Sequence, residues 1–512
     1  MVLLSLIGSA SLTSIILVGL CFGATTLAFY RLFKHPITKI PGPTICCLTS
    51  LWMHYHIYIG DEATRITELH KIYGPVVRVA PNEVCIADGA AIAPIYVEKG
   101  GFPKAECYRN FDIDGFASLF SETFKQIRAP KAKSVMPLFS TTNIRKSEQL
   151  LTAAVGQFVA RLRRERSKSI LVDGNVDILV LTRGLAIDAV SSYLFGKSYG
   201  ALDEDVEQRS AKSTDGKSNL SAGKFVDAFV GVGRFFYLPN WIFLLTELLS
   251  EKLYGTQETE ESMSNVDRFV TGVVKEAQAG DGSFPGCMLQ AGLTPKEVAA
   301  QCKDLLFAGT DSTGMNLATF CWQLARNPDV YTVLRSEITD AHAKNPSGFD
   351  PMTLPYLRAC VREALRLSMA NPTRLPRVVP SLGWTFHSEG QAHHFPAGTI
   401  VSVQMLTLHH NPTIFKDPYS FRPERWLDTP KEALQLMLRD FIPFGAGSRQ
   451  CIARNLATLE LTLAGEALIA DGVLEGARVV HDKLNLIEWF NSHVKGDSIM
   501  LNWQPDNSKQ CL

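Results

Sequence analysis

The stretch that most restricts the fold is LTPKEVAAQCKDLLFAGTDSTGMNLATFCWQLARNP, from Leu293 to Pro328. Thr294 followed three residues later by Glu297 makes a capping box, and Pro295 occupies the first helical position, where a missing N–H costs nothing. Asn327-Pro328 ends the run. The helix between these signals would be about 33 residues and about 50 Å long, and its middle, Leu305 to Leu317, is weakly polar on every face. Such a helix runs through the interior of a large body.

The chain can build that body: it has 512 residues, 46% apolar and 20% charged, enough for one large core or two domains. Segments with strand character are few: residues 76 to 88, short pieces around Val378, Ile400 to Val403 and Ile499 to Leu501. The rest reads helical, including 354 to 369, where Glu363 and Arg366 share a face, and 205 to 290, which is polar and then aromatic. The expected class is mainly α with small β-sheets. Fifty-one basic residues balance fifty-one acidic ones, so no net field draws in nucleic acid.

The first thirty residues carry no charged side chain. Leu12 to Tyr30 can span a bilayer, and the run lacks the basic start and short apolar core of a cleaved signal peptide. Arg31, Lys34 and Lys39 follow it, which keeps the remainder cytosolic. Residues 1–33 are therefore expected to be a single-pass membrane anchor and 34–44, with Pro36, Pro41, Gly42 and Pro43, a stiff connector. Residues 45–512 are expected to form one domain. On that topology the sequon Asn219-Leu220-Ser221 is unused, since glycosylation needs the lumenal side. The eleven scattered cysteines show no CxxC pair, which fits a reducing compartment.

One cysteine stands apart. In FIPFGAGSRQCIARNLA, Phe441 to Ala457, Cys451 lies between a glycine-rich turn and the start of a helix. Backbone N–H groups at a helix start lower a thiol pKa. Gly445 and Gly447 let something flat lie against the turn, Phe444 can pack on it, and Arg449 can meet an anionic group. One thiolate with no second ligand nearby cannot make a tetrahedral zinc site, but it suffices as an axial ligand of haem iron.

FGAGSRQCIA resembles the haem-thiolate loop FxxGxRxCxG of the cytochrome P-450 monooxygenases, with Ala453 at the last glycine. The resemblance spans nearly the whole chain. Glu363-Ala-Leu-Arg366 is similar to the family's ExxR, and Pro423-Glu424-Arg425-Trp426 to its PERF/PERW segment. The resemblance implies the cytochrome P-450 fold, a single haem domain behind a transmembrane helix, with Cys451 ligating the iron of haem b and with Glu363, Arg366 and Arg425 locked together beneath it. Arg377 and Arg449 are then propionate partners, together with one of Arg128, Lys131 and Lys133, of which Arg128 is favoured; Gly447 and Phe444 flank the cofactor.

Ala308-Gly309-Thr310-Asp311-Ser312-Thr313 resembles the family's AGx(D/E)TT, in which small Ala308 and Gly309 make room for O2 and Asp311 with Ser312 relays protons to it. Ser312 stands where threonine is usual, so water should be less well excluded. A mid-helix serine bonded to its own backbone four residues back is the competing reading. The implied reaction is insertion of one oxygen atom from O2, as co-substrate, into a bulky apolar molecule, as in fungal secondary metabolism. Residues 101 to 120, the aromatics of 225 to 245, Phe307 and Ala370 to Leu375 are expected to line the pocket. No GxGxxG follows a strand, so electrons are expected from NADPH through a separate NADPH–cytochrome reductase at the endoplasmic reticulum membrane. An oxygen-independent isomerase or dehydratase of the same fold, and a non-catalytic haem-binding membrane protein, are the alternatives; the first typically lacks the acid and alcohol present here.

Overall fold

The computed structural model describes residues 12–203, 222–254 and 257–503; the sequon at Asn219 lies outside them. An exposed helix α1 (Leu12–Phe29) leads to α2 (Leu51–Ile59) and α3 (Glu62–Tyr73). The hairpin β1 (Val76–Ala80) and β2 (Glu83–Ile86) follows, then α4 (Lys125–Val135), α5 (Glu148–Val172), β3 (Val176–Asp177) and α6 (Ile178–Phe195). Next come α7 (Ala222–Val232), α8 (Asn240–Tyr254), α9 (Gln257–Glu276), α10 (Pro295–Arg326), α11 (Pro328–Lys344) and α12 (Pro355–Leu367). β4 (Arg377–Val378), β5 (Trp384–Ser388), β6 (Gln391–Phe395) and β7 (Ile400–Val403) precede α13 (Arg454–Asp471). The described chain closes with β8 (Ala477–Val479), β9 (Leu486–Glu488), β10 (Ser492–Val494) and β11 (Met500–Trp503).

The long helix begins and ends where its local signals put it. The Thr294 hydroxyl accepts from Glu297 N–H while the Glu297 carboxylate accepts from Thr294 N–H at 2.8 Å. Its second half, from Thr313 to Leu324, is buried on all sides, against α6, α12 and α13. Gly314 is what lets α6 come so near: a Cβ there would lie 2.7 Å from the Arg183 side chain and 2.9 Å from its Cα. That packing also settles α6, which is apolar enough to cross a membrane but is mostly buried in the core. Thr13–Lys34, more apolar still, is not buried at all. It fits a membrane anchor.

The main sheet has the order β1-β2-β7-β4, with β2 and β7 parallel and the other pairs antiparallel. A three-stranded sheet β3-β11-β8 and the hairpins β5-β6 and β9-β10 complete the β content. The sequence reading misses β3, β5, β6, β8, β9 and β10. Most are two or three residues long, too short to show a period. The β5-β6 hairpin did leave a signal, Glu389-Gly390, whose positive φ values of 50° and 75° make its two-residue turn.

Candidate functional site

One cavity of about 480 Å³ gathers residues far apart in the chain, from Lys104 to Asn491. Cys451 faces it from the loop before α13, and its N–H donates to the Phe444 carbonyl at 2.8 Å. Gly445 and Gly447 adopt φ of 67° and 70°, a region that costs other residues strain. Gly447 is also sterically required, since a Cβ would sit 1.7 Å from the Tyr96 carbonyl oxygen. Burial pushes the Cys451 thiol up, against a hydrogen bond from the Ala453 backbone and the charge of Arg454, because desolvation outweighs one N–H. A bound cation would have to supply the missing stabilisation of the thiolate.

Four cations from distant segments meet at the cavity: Lys104, Arg128, Arg377 and Arg449. Their polar partners are neutral. Arg128 Nε donates to the Leu119 carbonyl at 2.8 Å, Arg377 Nη1 to the Tyr108 hydroxyl at 3.0 Å, Arg449 Nη1 to the Glu122 carbonyl at 2.8 Å, and Lys104 to the Phe120 carbonyl. Among the described residues no carboxylate pairs with any of them. Burial and then Arg128 and Arg377 pull the Arg449 pKa down to about 10; burial and the same three arginines drive Lys104 well below the usual lysine range. Such a cluster is costly unless an anion joins it. The two propionates of haem fit that need, and a thiol on the cavity wall fits its iron. Lys131 and Lys133 do not line the cavity, whereas Arg128 does. Lys104 lies within the 101 to 120 stretch expected to line the pocket, but its place among the cations carries no local pattern in FPKAE; a β-bridge to Arg377 sets it there.

Behind the cysteine loop, Glu363 binds Arg366 through two hydrogen bonds of 2.8 and 3.0 Å, Arg425 at 2.9 Å and Trp426 Nε1 at 2.9 Å. Arg366 also donates to the His409 carbonyl, while His409 Nε2 accepts from Ile442 N–H at the start of the cysteine loop. The network is thereby tied to the loop that carries Cys451.

On the opposite wall α10 contributes Ala308, Gly309, Ser312 and Thr313. The sequence reading sets Asp311 beside the Ser312 hydroxyl. The structure separates them: Ser312 Oγ faces the cavity but donates to the Ala308 carbonyl at 3.0 Å, while Asp311 is buried away from the cavity, held by Arg183 and Asn491. Consecutive residues on a helix point about 100° apart, so the two cannot share a face. Of the aromatics between 225 and 245 whose side chains are described, only Phe229 lines the cavity; Phe236 packs behind the wall against Tyr108 and Phe490, and Trp241 faces outward. Phe490 and Asn491, from the β9-β10 turn, and Asp304 on α10 line it without having been foreseen. Burial raises Asp304 to about 6.

The Cytochrome P-450 family model matches residues 41–471. The chain is 38% identical over 490 residues to the cytochrome P-450 monooxygenase mfmF of Annulohypoxylon moriforme, covering 93% of this chain and 96% of that one. It is 29% identical to the cytochrome P-450 monooxygenase tazI of Aspergillus terreus, covering 85% and 86%. The fusicoccadiene C-8 hydroxylase of Alternaria brassicicola is 28% identical, covering 90% and 89%.

Proposed function

Because this chain belongs to the cytochrome P-450 family, we propose that it inserts one oxygen atom from O2 into a bulky, mainly apolar small molecule as a tailoring step of secondary metabolism. Haem b, when bound, supplies oxygen activation with electrons taken from NADPH through a separate reductase. The observation that carries the reading is the pairing, in one cavity, of Cys451 with four cations that form no ion pair among the described residues and outnumber the nearby acid Asp304. Cys451 binds the iron; Lys104, Arg128, Arg377 and Arg449 hold the propionates; Phe444 packs beside Cys451 and Gly447 shapes its loop. Glu363, Arg366 and Arg425 position the loop through His409. Residues 45–512 act as one domain.

On the distal side Phe229, Leu119, Phe307 and Phe490 keep water sparse and suit an apolar substrate. The relative that hydroxylates fusicoccadiene supports such a substrate. Ser312 holds a proton at Oγ on the cavity wall, and Asp311 replenishes it after a local rearrangement. The presence of both groups disfavours the oxygen-independent alternative. The test is labelled dioxygen: in microsomes with reductase and NADPH, one product oxygen should carry the label, and products oxidised without label would overturn the reading. Ser312→Thr, which restores a methyl group that excludes water, is expected to raise product per NADPH; no gain would contradict the role given to this hydroxyl.

The membrane reading rests on more than α1. Arg31 donates to the Leu48 carbonyl just before α2, and Tyr58 of α2 packs on Phe235 in the turn that leads to α8. Leu51, Tyr55 and Tyr58 on α2 and Trp241, Leu244, Leu245 and Leu248 on α8 are exposed, an apolar surface continuous with the anchor's exit. The chain then sits on the cytosolic face of the endoplasmic reticulum. Removing residues 1–33 is expected to leave it membrane-bound but releasable by alkaline carbonate, and adding Trp241→Asp with Leu245→Asp should make it soluble. Full solubility on truncation alone would assign binding to α1 only.

A further inference from the structure

Asp311 is the acid on which proton delivery turns, and its surroundings single out a residue outside the motif. Its carboxylate is 2% exposed. Oδ1 accepts from Arg183 Nη2 at 2.8 Å, and Oδ2 accepts from Asn491 Nδ2 at 2.8 Å. Arg183, on α6, also reaches Asp227 at 3.4 Å and Asp497 at 3.3 Å, and His493 lies close enough to feel Arg183, Asp311 and Asp497, with Arg234 also acting on the imidazole. Asn491, in the turn between β9 and β10, is 7% exposed and lines the cavity. Of the two groups that hold Asp311, Asn491 alone also faces the substrate space.

We propose that Asn491 is a positioning residue for the oxygenation reaction, its side-chain amide reaching from the cavity wall to hold Oδ2 of the buried Asp311 and governing when that oxygen passes a proton inward. The proposal rests on the monooxygenase reading. Oδ1 is committed to a guanidinium that does not give up its proton at neutral pH, so transfer has to run through Oδ2. A side-chain amide is no proton carrier, so Asp311 delivers only when the amide yields that oxygen to water or to Ser312. The step is a proton transfer alone: the O–H bond at Oδ2 breaks as one forms on the acceptor, which passes its own proton on, while electrons come from NADPH. Phe490, the preceding residue, lines the same cavity and packs on Phe111 and Phe236 at ring separations of 5.0 and 4.7 Å. The residue that meets the substrate and the residue that holds the acid are therefore neighbours in one turn.

The test uses the full-length holoprotein and needs no substrate. Asn491→Leu removes the donor, and Asn491→Asp, nearly isosteric, removes it if the leucine variant fails to bind haem. Infrared carboxylate bands, assigned by difference against Asp311→Asn, are expected to shift in either variant, and peroxide released per NADPH oxidised is expected to change by about threefold or more, the scale of one hydrogen bond. In the Asp311→Asn background the change at 491 should have no further effect, because residues acting as a unit are not additive. Unmoved bands, or an effect of equal size without Asp311, would reduce Asn491 to a structural part of its turn and overturn the proposal. The infrared comparison is independent of turnover, so it decides the point even where the oxygenation assay fails.

Discussion

Glu363→Gln is expected to destabilise the protein by about 3–5 kcal/mol, the cost of stranding buried charges. Glu363 and Arg366 are fully buried and Arg425 nearly so, and this one carboxylate faces both guanidiniums. The surplus positive charge is already spread over carbonyls: Arg366 donates to those of His409 and Pro418, Arg425 to those of Lys416 and Asp417. Against a total of about 5–15 kcal/mol, the loss should appear as a much lower denaturation midpoint and little haem-loaded protein. A variant with the wild-type midpoint and haem content would show that the network contributes neither stability nor loop position.

The second large effect is expected at Gly447. In Gly447→Ala the new methyl group meets the Tyr96 carbonyl oxygen at 1.7 Å, in a backbone conformation that already costs a side chain about 1–3 kcal/mol. Tyr96 cannot easily retreat: its hydroxyl donates to the Leu375 carbonyl at 2.7 Å and accepts from Val403 N–H at 3.0 Å. The cysteine loop has to move instead, and haem content should collapse. Gly445→Ala is the internal comparison. It shares the positive φ, but its nearest neighbour is 3.8 Å away, so only the backbone cost applies. Equal haem content in the two variants would contradict the steric account.

What the sequence discloses here is what is local. The capping box of α10, the three-residue spacing of Glu363 and Arg366, and the turn glycines before Cys451 each lie within a few residues of one another. Folding only has to bring them together. Lys104 and Asn491 give no such sign, because each acquires its role from a partner far along the chain, Arg377 in one case and Asp311 in the other. The resemblance to AGx(D/E)TT pairs Asp311 with Ser312, although helical geometry turns the two side chains to different surroundings. The aromatics near 235 read as a pocket, yet Phe236 serves packing and Trp241 the exterior, since each helix or turn offers the cavity only one side.

The most direct measurement of the central claim, that Cys451 is the thiolate ligand of a bound haem, is the carbon monoxide difference spectrum of the reduced full-length protein and of Cys451→Ala. The wild type is expected to show the thiolate-type Soret band at about 450 nm and the variant to lack it. A wild type without that band, or a variant that keeps it, would contradict the account.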